Sequence, residues 1–600
     1  MKKVVLLLVI AVVCTFCAPQ KEKIPPVTTM EESTGKVIIY QVMTRLFGNT
    51  TTTNKPYGTI EENGVGKFND INDAALKGIK DMGVTHVWYT GIIEHAMLTD
   101  YSKFGIQRDD ADVVKGRAGS PYAIKDYYDV NPDLAVDVKN RMKEFEALVD
   151  RTHKQGMKVL IDFVPNHVAR VYKSDQKPQG VKDLGEGDNN AIAFSPKNNF
   201  YYLPGQSFVV PKHNNPFAKD TLVTSFDGKF TEIPAKVTGN DQFTASPGIN
   251  EWYETVKLNY GIDIQQGRQK HFDPVPDTWT KMRDILLYWT AKKVDGFRCD
   301  MAEMVPVEFW NWAIPQIKIA NPDIIFIAEI YNPAAYKSYL ETGKFNYLYD
   351  KVQLYDTLRL LLKGERSTND IHDIQESLKG INRHMVHFLE NHDEQRIASK
   401  YFAGNAWHAV PAMAVSATVD QGAVMIYFGQ EVGEPGLGVE GFGGDDGRTT
   451  IFDYWGVPEH QKWVNGGKYN GDSLSTDQKQ LRQFYVDLLK LAGSNPAITE
   501  GDYYDITDSN IKAKNFSKDV LAYIRNKGDE RLLILATFNK TEVPIKVQIP
   551  SEVATKIGLN ANGNYSGIDL LSKNNEFKLS SQLQFELTAK PYSAYIIKLK

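Results

Sequence analysis

The chain has 600 residues, long enough for two or three domains rather than one compact core. Charge is mixed and slightly acidic, 69 basic residues against 74 acidic. No basic cluster points to nucleic acid, and no acidic tail is present.

The first residues read as an export signal. Lys2 and Lys3 precede the apolar run Val4–Val13, which is too short to span a bilayer, and polar residues resume at Gln20. Cys14 and Cys17 end this segment (residues 1–17). Membrane attachment through a lipidated Cys17 and soluble export to the periplasm or cell surface both stay open, because Cys14-Thr15-Phe16 fits a lipoprotein cleavage box poorly. Residues 18–34, with Pro19, Pro25 and Pro26, read as a linker. Cys299 is then the only cysteine of the folded body, so no disulfide framework exists there.

From Lys36 the pattern alternates strands and helices, the signature of an α/β fold with parallel strands. A helix is predicted over Val138–Gln155, with Met142, Phe145, Leu148 and Val149 at helical spacing and Gly156 as its stop. The strand Lys158–Val164 follows. The alternation breaks over residues 168–266, which are rich in Asn, Gly, Pro, Lys and Asp, with short β-like pieces at Phe200–Leu203 and Ser207–Val210. A structureless loop this long is improbable inside a compact domain, so an inserted subdomain is expected. The helix Thr278–Lys292 restores the alternation. Beyond about Ser494 the runs Val520–Arg525, Arg531–Phe538, Val543–Ile549 and Ser593–Leu599 are short and β-rich, which predicts an all-β sandwich over residues 499–600.

Chemistry concentrates at the ends of four strand-like runs. Asp295–Glu303, DGFRCDMAE, contains a strand Val294–Cys299 that ends on Arg298 and Asp300. Residues i and i+2 of a strand point to one face, so these two side chains project together. The arginine should lower the aspartate's pKa, leaving the ionised carboxylate that a covalent nucleophile in sugar chemistry requires. The next run, Asp323–Ile330, carries Glu329, 29 residues after Asp300, which fits one strand–helix–strand unit of roughly 30 residues. His387–Asp393 presents Asn391, His392 and Asp393, and Lys158–His167 presents Asp162, Asn166 and His167. Barrel strands that deliver functional groups at their C-terminal ends have this form.

In order and content these segments resemble the four signature regions of the α-amylase family, glycoside hydrolase family 13. Ile39–Arg45 and Gly83–Thr90 resemble its first two barrel strands, Tyr122–Pro132 its tyrosine-bearing loop before the third, and Ala423–Glu431 a late strand; the likeness covers roughly Gly35 to Ile498. It implies a (β/α)8 barrel in two parts, residues 35–167 and 267–498, with domain B (168–266) inserted after strand 3 and a C-terminal β-sandwich. It implies a retaining α-glucan hydrolase acting on starch-derived poly- or oligosaccharides. Asp300 would be the nucleophile, Glu329 the general acid and base, and Asp393 the third carboxylate, gripping hydroxyls of the distorted sugar. His167 and His392 would bind hydroxyls of the same ring, Tyr122 would stack beneath it, Arg298 would orient Asp300, and Asp162 would buttress Arg298. Arg448 is similar to a late-loop arginine near the nucleophile.

Two departures from the family pattern matter. Glu303 and Met304 stand where members commonly carry a lysine or histidine that meets the leaving sugar. Many members bind a structural calcium through the asparagine at Asn166 and an aspartate late in domain B; here that segment reads Lys257-Leu258-Asn259, closer to the neopullulanase and cyclomaltodextrinase type. No cofactor is required, and calcium at Asn166 is the one metal the resemblance admits. The alternatives are a 4-α-glucanotransferase, a cyclomaltodextrinase or neopullulanase, and, least favoured, a non-catalytic glucan-binding protein. The oligomeric state is not legible from the sequence.

Overall fold

The computed structural model describes residues 35–212, 226–561, 563–572 and 575–600. The expected export signal, linker and Cys17 lie outside the described residues. Eight parallel strands close a barrel: β1 (Ile38–Met43), β2 (His86–Thr90), β3 (Lys158–Phe163), β4 (Gly296–Cys299), β5 (Ile325–Ala328), β6 (Tyr347–Tyr349), β7 (Met385–Phe388) and β8 (Ala423–Tyr427). They pair in sequence order, and β1 returns to β8 through Ile38↔Val424. Each is a short run of β-branched and aromatic residues, almost all buried, as strands covered on both faces must be.

Local sequence explains the outer layer. The Val138–Gln155 prediction becomes a 3₁₀ turn, Val138–Asn140, followed by the helix Arg141–Lys154, which buries Phe145, Leu148 and Val149. The helix expected at Thr278–Lys292 spans Asp277–Ala291. Gly296 opens β4 because nothing larger fits: a Cβ there would lie 2.6 Å from Ile325 Cγ1 and 2.7 Å from the Ile325 carbonyl. That close approach lets β4 and β5 align as Gly296↔Ile325 through Cys299↔Ala328, so Asp300 and Glu329 leave the barrel at the same level.

Two expectations change. Tyr122–Pro132, read as a loop, contains the strand Ile124–Val130, which pairs antiparallel with Ile93–His95. Ser207–Val210 forms no ladder; its amides reach Glu232 and Ala245 singly. In the inserted region, His167–Ala169 pairs with Thr255–Lys257, and Tyr202–Leu203 with Ala235–Lys236. After the barrel, a six-stranded antiparallel sheet and a two-stranded one, Val543–Gln548 with Gln584–Ala589, enclose a separate core that includes Ile524, Leu533, Val547 and Ile597.

Candidate active site

The C-terminal ends of the barrel strands open into a cavity of about 980 Å³. Asp300, Glu329 and Asp393 all line it, together with Tyr122, His167, Trp252, Tyr331 and Phe442. Three carboxylates distant in sequence therefore face one space.

One guanidinium organises them. Arg298 Nη1 lies 2.8 Å from Asp300 Oδ1 and 3.4 Å from Asp162 Oδ1, and Nη2 lies 2.8 Å from Glu329 Oε2. The side chain is wholly buried, with the rings of Trp88, Tyr122 and Tyr349 each about 5.4–5.5 Å away. A desolvated arginine fixed this way holds several carboxylates in place. Asp162 is itself held by Trp88 Nε1 at 3.0 Å and by the Tyr122 hydroxyl at 3.3 Å.

Asp300 uses only one oxygen on the protein. Oδ1 meets Arg298, whereas Oδ2 is buried and has no hydrogen-bond partner among the described residues. Burial pushes the Asp300 carboxyl up to about 6; Arg298 opposes the rise, and Asp162 and Asp393 add to it. Arg298 thus acts in the expected direction, but desolvation outweighs it, and the net shift is opposite to the one expected from the sequence.

Glu329 is engaged on both oxygens. Oε2 accepts the Met301 amide at 2.7 Å, and Oε1 accepts the Tyr331 hydroxyl at 2.7 Å. Met301 aims its N–H there from a left-handed conformation, φ 42°, rare for a residue with a side chain. Burial raises Glu329 to about 7, against Arg298 and with Asp300 and Asp393 adding to it. Two neighbouring carboxyls with raised and separated affinities can divide acid and nucleophile roles near neutrality.

Asp393 goes the other way. Burial works against its charge, but His392, Arg298 and Arg448 together hold it below the usual carboxylate range. His392 Nε2 lies 3.0 Å from Asp393 Oδ2 and 2.5 Å from the Tyr122 hydroxyl, while Nδ1 meets Gln41 Nε2 at 2.8 Å. The His392 side chain is fully enclosed, as is that of Arg298, and through these contacts both position the groups in front of them. Tyr122 lines the cavity and stacks on the His392 ring, 5.2 Å between centroids at 26°. Arg448 donates through Nε to the Asp393 carbonyl at 2.6 Å, so it meets the third carboxylate's backbone rather than the nucleophile.

His167 also faces the cavity, with Nε2 4.0 Å from Asp300 Oδ2. Asn166 Nδ2 lies 3.1 Å from His167 Nδ1, so the amide donates and the proton of the ring belongs on Nε2. Burial lowers the imidazole to about 3, which keeps it neutral.

The residues around Asn166 do not fit a calcium ion. The oxygen a cation would need, Asn166 Oδ1, already accepts a hydrogen bond from Lys257 Nζ, and that ammonium also pairs with Asp241 Oδ1 at 2.7 Å. Lys257 stands directly across from His167 in the small ladder that starts the inserted region. The tentative calcium reading of Asn166 is therefore corrected: a lysine ammonium supplies the positive charge there.

Sequence reasoning missed Gln41, Trp88, Tyr331, Trp252 and Tyr349. Tyr331 could have been found, because it follows Glu329 at i+2. Gln41, a polar residue within the apolar β1 run, was a second available signal.

The family model for the α-amylase catalytic domain matches residues 41–501. The chain is 23% identical to Alpha-amylase 3 of Dictyoglomus thermophilum over 446 residues, 70% of this chain and 74% of that one. It is 21% identical to Neopullulanase 2 of Thermoactinomyces vulgaris over 593 residues, 95% of this chain and 79% of that one. The fold is shared with the solved α-amylase of Geobacillus thermoleovorans complexed with acarbose, at a TM-score of 0.57 and 19% identity over 94% of this chain and 98% of that one. With well over half its length matched by the family model, the chain belongs to the α-amylase family of glycoside hydrolases.

Proposed function

We propose that this hydrolase cleaves α-glucosidic bonds of starch-derived glucans with retention, through a covalent intermediate on Asp300. The observation that carries the reading is the asymmetry of Asp300: one oxygen is pinned by Arg298, and the other has no hydrogen-bond partner among the described residues and lies beside the cavity that Glu329 shares. In the first step Asp300 Oδ2 forms a bond to the anomeric carbon as the glycosidic C–O bond breaks, and Glu329 gives its proton to the departing sugar oxygen. In the second, Glu329 as carboxylate takes a proton from water, whose oxygen displaces Asp300 from the same carbon. Asp393, kept ionised by His392, accepts hydrogen bonds from hydroxyls of the distorted ring and favours positive charge at the anomeric centre. No step uses a metal.

Export, with or without a lipid on Cys17, is proposed on Lys2, Lys3 and the apolar run after them. Transfer to a second sugar instead of water is the rival outcome, and it uses the same first step.

The test is to incubate purified protein with amylose, pullulan, a cyclodextrin and maltotriose, following the nascent reducing ends by proton NMR and the products by chromatography. Fresh α-anomers with products shorter than the substrate support retaining hydrolysis. Products longer than maltotriose assign transfer. First-formed β-anomers, or no turnover of any substrate, refute the reading.

A further inference from the structure

Away from the catalytic cavity, three carboxylates converge where the Ile93–His95/Ile124–Val130 hairpin meets the first residues of the inserted region. Glu94, Asp129 and Asp175 each bring an oxygen within 4.8 Å of the others. Asp126, opposite Glu94 in the hairpin, is a fourth acid nearby, but its oxygens are taken by the backbone amides of Tyr128, Asp175 and Gln176.

Glu94 sets this cluster apart from an ordinary acidic patch. It has no exposed surface, and neither carboxylate oxygen has a hydrogen-bond partner among the described residues. Arg141 is spent on Asp129 through Nε at 2.6 Å and on Asp175 at 3.3 Å. Lys125, whose charge is felt at Glu94, is paired with Asp109 at 3.0 Å. An enclosed carboxylate with no donor and three like charges around it is costly, and native structures do not leave such a group bare.

We propose that Glu94, Asp129 and Asp175 hold a calcium ion. The donors are all carboxylate oxygens, which select a hard cation over zinc or copper. Calcium accepts six to eight oxygens in flexible geometry, with ligands about 2.3–2.6 Å from the ion, so oxygens within 4.8 Å of one another suit its sphere. Magnesium demands near-ideal octahedral geometry at shorter distances, whereas calcium tolerates an irregular set of donors such as this one. Solvent enters from the side of Asp175, which is exposed, and completes the coordination. The ion would tie the hairpin whose second strand follows Tyr122 to the start of the inserted region. This site is distinct from Asn166, where Lys257 stands in for a metal.

The test uses the whole protein, stripped with EGTA and then titrated with calcium chloride alone by isothermal calorimetry, with thermal melts in parallel. The expected result is one calcium per chain and a melting temperature several degrees higher in millimolar calcium. Glu94→Gln should bind none, and its melting temperature should not respond to calcium. Asp175→Asn, at the solvent edge, should fold regardless and bind at least about tenfold more weakly, since losing one ligand charge weakens a calcium site. Wild-type protein that takes up no calcium would overturn the proposal and mean that Glu94 carries a proton. Full-affinity binding by either variant would also overturn it.

Discussion

Tyr331 offers a direct reading of how the general acid is poised. Its hydroxyl donates to Glu329 Oε1 at 2.7 Å, while Oε2 is already held by the Met301 amide and faces Arg298. A proton on Glu329 therefore belongs on Oε1, and the tyrosine must then turn from donor to acceptor. The hydrogen bond is stronger to the carboxylate than to the acid, by about 1 kcal/mol if charged and neutral hydrogen bonds differ as they usually do. Removing it with Tyr331→Phe should raise the affinity of Glu329 for its proton by about 0.7 of a pH unit. Activity needs Asp300 ionised and Glu329 protonated. The kcat/KM profile of the parent should therefore rise through about 6 and fall through about 7, the two limbs belonging to the coupled pair. In the variant the alkaline limb should move up and the acid limb stay. At pH 8 the variant, relative to its own maximum, should then keep roughly three times the parent's fraction of activity, the acid form rising tenfold per unit of pKa. Initial rates on a maltooligosaccharide with an unactivated leaving group, measured from pH 4.5 to 9, would check this. An alkaline limb that stays put or moves down would show that Tyr331 does not bear on the acid.

Other perturbations test separate parts of the site. Asp300→Asn should lower kcat/KM on the order of 10⁴–10⁶-fold while leaving glucan binding in place; turnover like that of the parent would remove Asp300 from the chemistry. Glu329→Gln should gain stability relative to the parent as pH rises. The folded carboxyl, at about 7, holds its proton longer than the unfolded one at 4.5, so the parent loses stability across that window while the amide does not. The difference should level off near about 3 kcal/mol above neutrality, read by urea unfolding at pH 5 and pH 8, and a pH-independent difference would contradict the raised value. Lys257→Ala should cost about 3–5 kcal/mol, because Asn166 Oδ1 and Asp241 lose their shared cation inside the protein. Added calcium rescuing that variant to parental stability would mean that the Asn166 pocket can still accept a metal.

Most of the barrel was legible because its strands are short apolar runs with polar tips at regular spacing. β6 was not: at three residues, Tyr347–Tyr349 is too short to show any period. The inserted region was legible only as a break in alternation, since its two- and three-residue ladders are held by scattered hydrogen bonds rather than by pattern. Within the site, the groups that end strands were visible, whereas those acting from beneath were not. Arg298 and Asp300 share a face by the period of two, and the sequence carries that. It does not carry how closely Asp162 and Glu329, at the tips of the two strands flanking β4, approach one guanidinium, which is what turns that arginine into a bridge among three acids.

The same distinction explains why a sign came out wrong at Asp300. A charge neighbour can be read from two letters, but the depth of burial depends on every loop that closes over the strand tips, and burial is the larger effect. The consequence is chemical. A nucleophile whose proton affinity is pushed toward neutrality is a better base toward carbon than one stabilised at an exposed salt bridge, while the pinned Oδ1 keeps its direction fixed. Arg298 thus contributes orientation more than ionisation. Replacing it by lysine, which keeps the charge but loses the fork, should impair kcat far more than it shifts the acid limb of the pH profile.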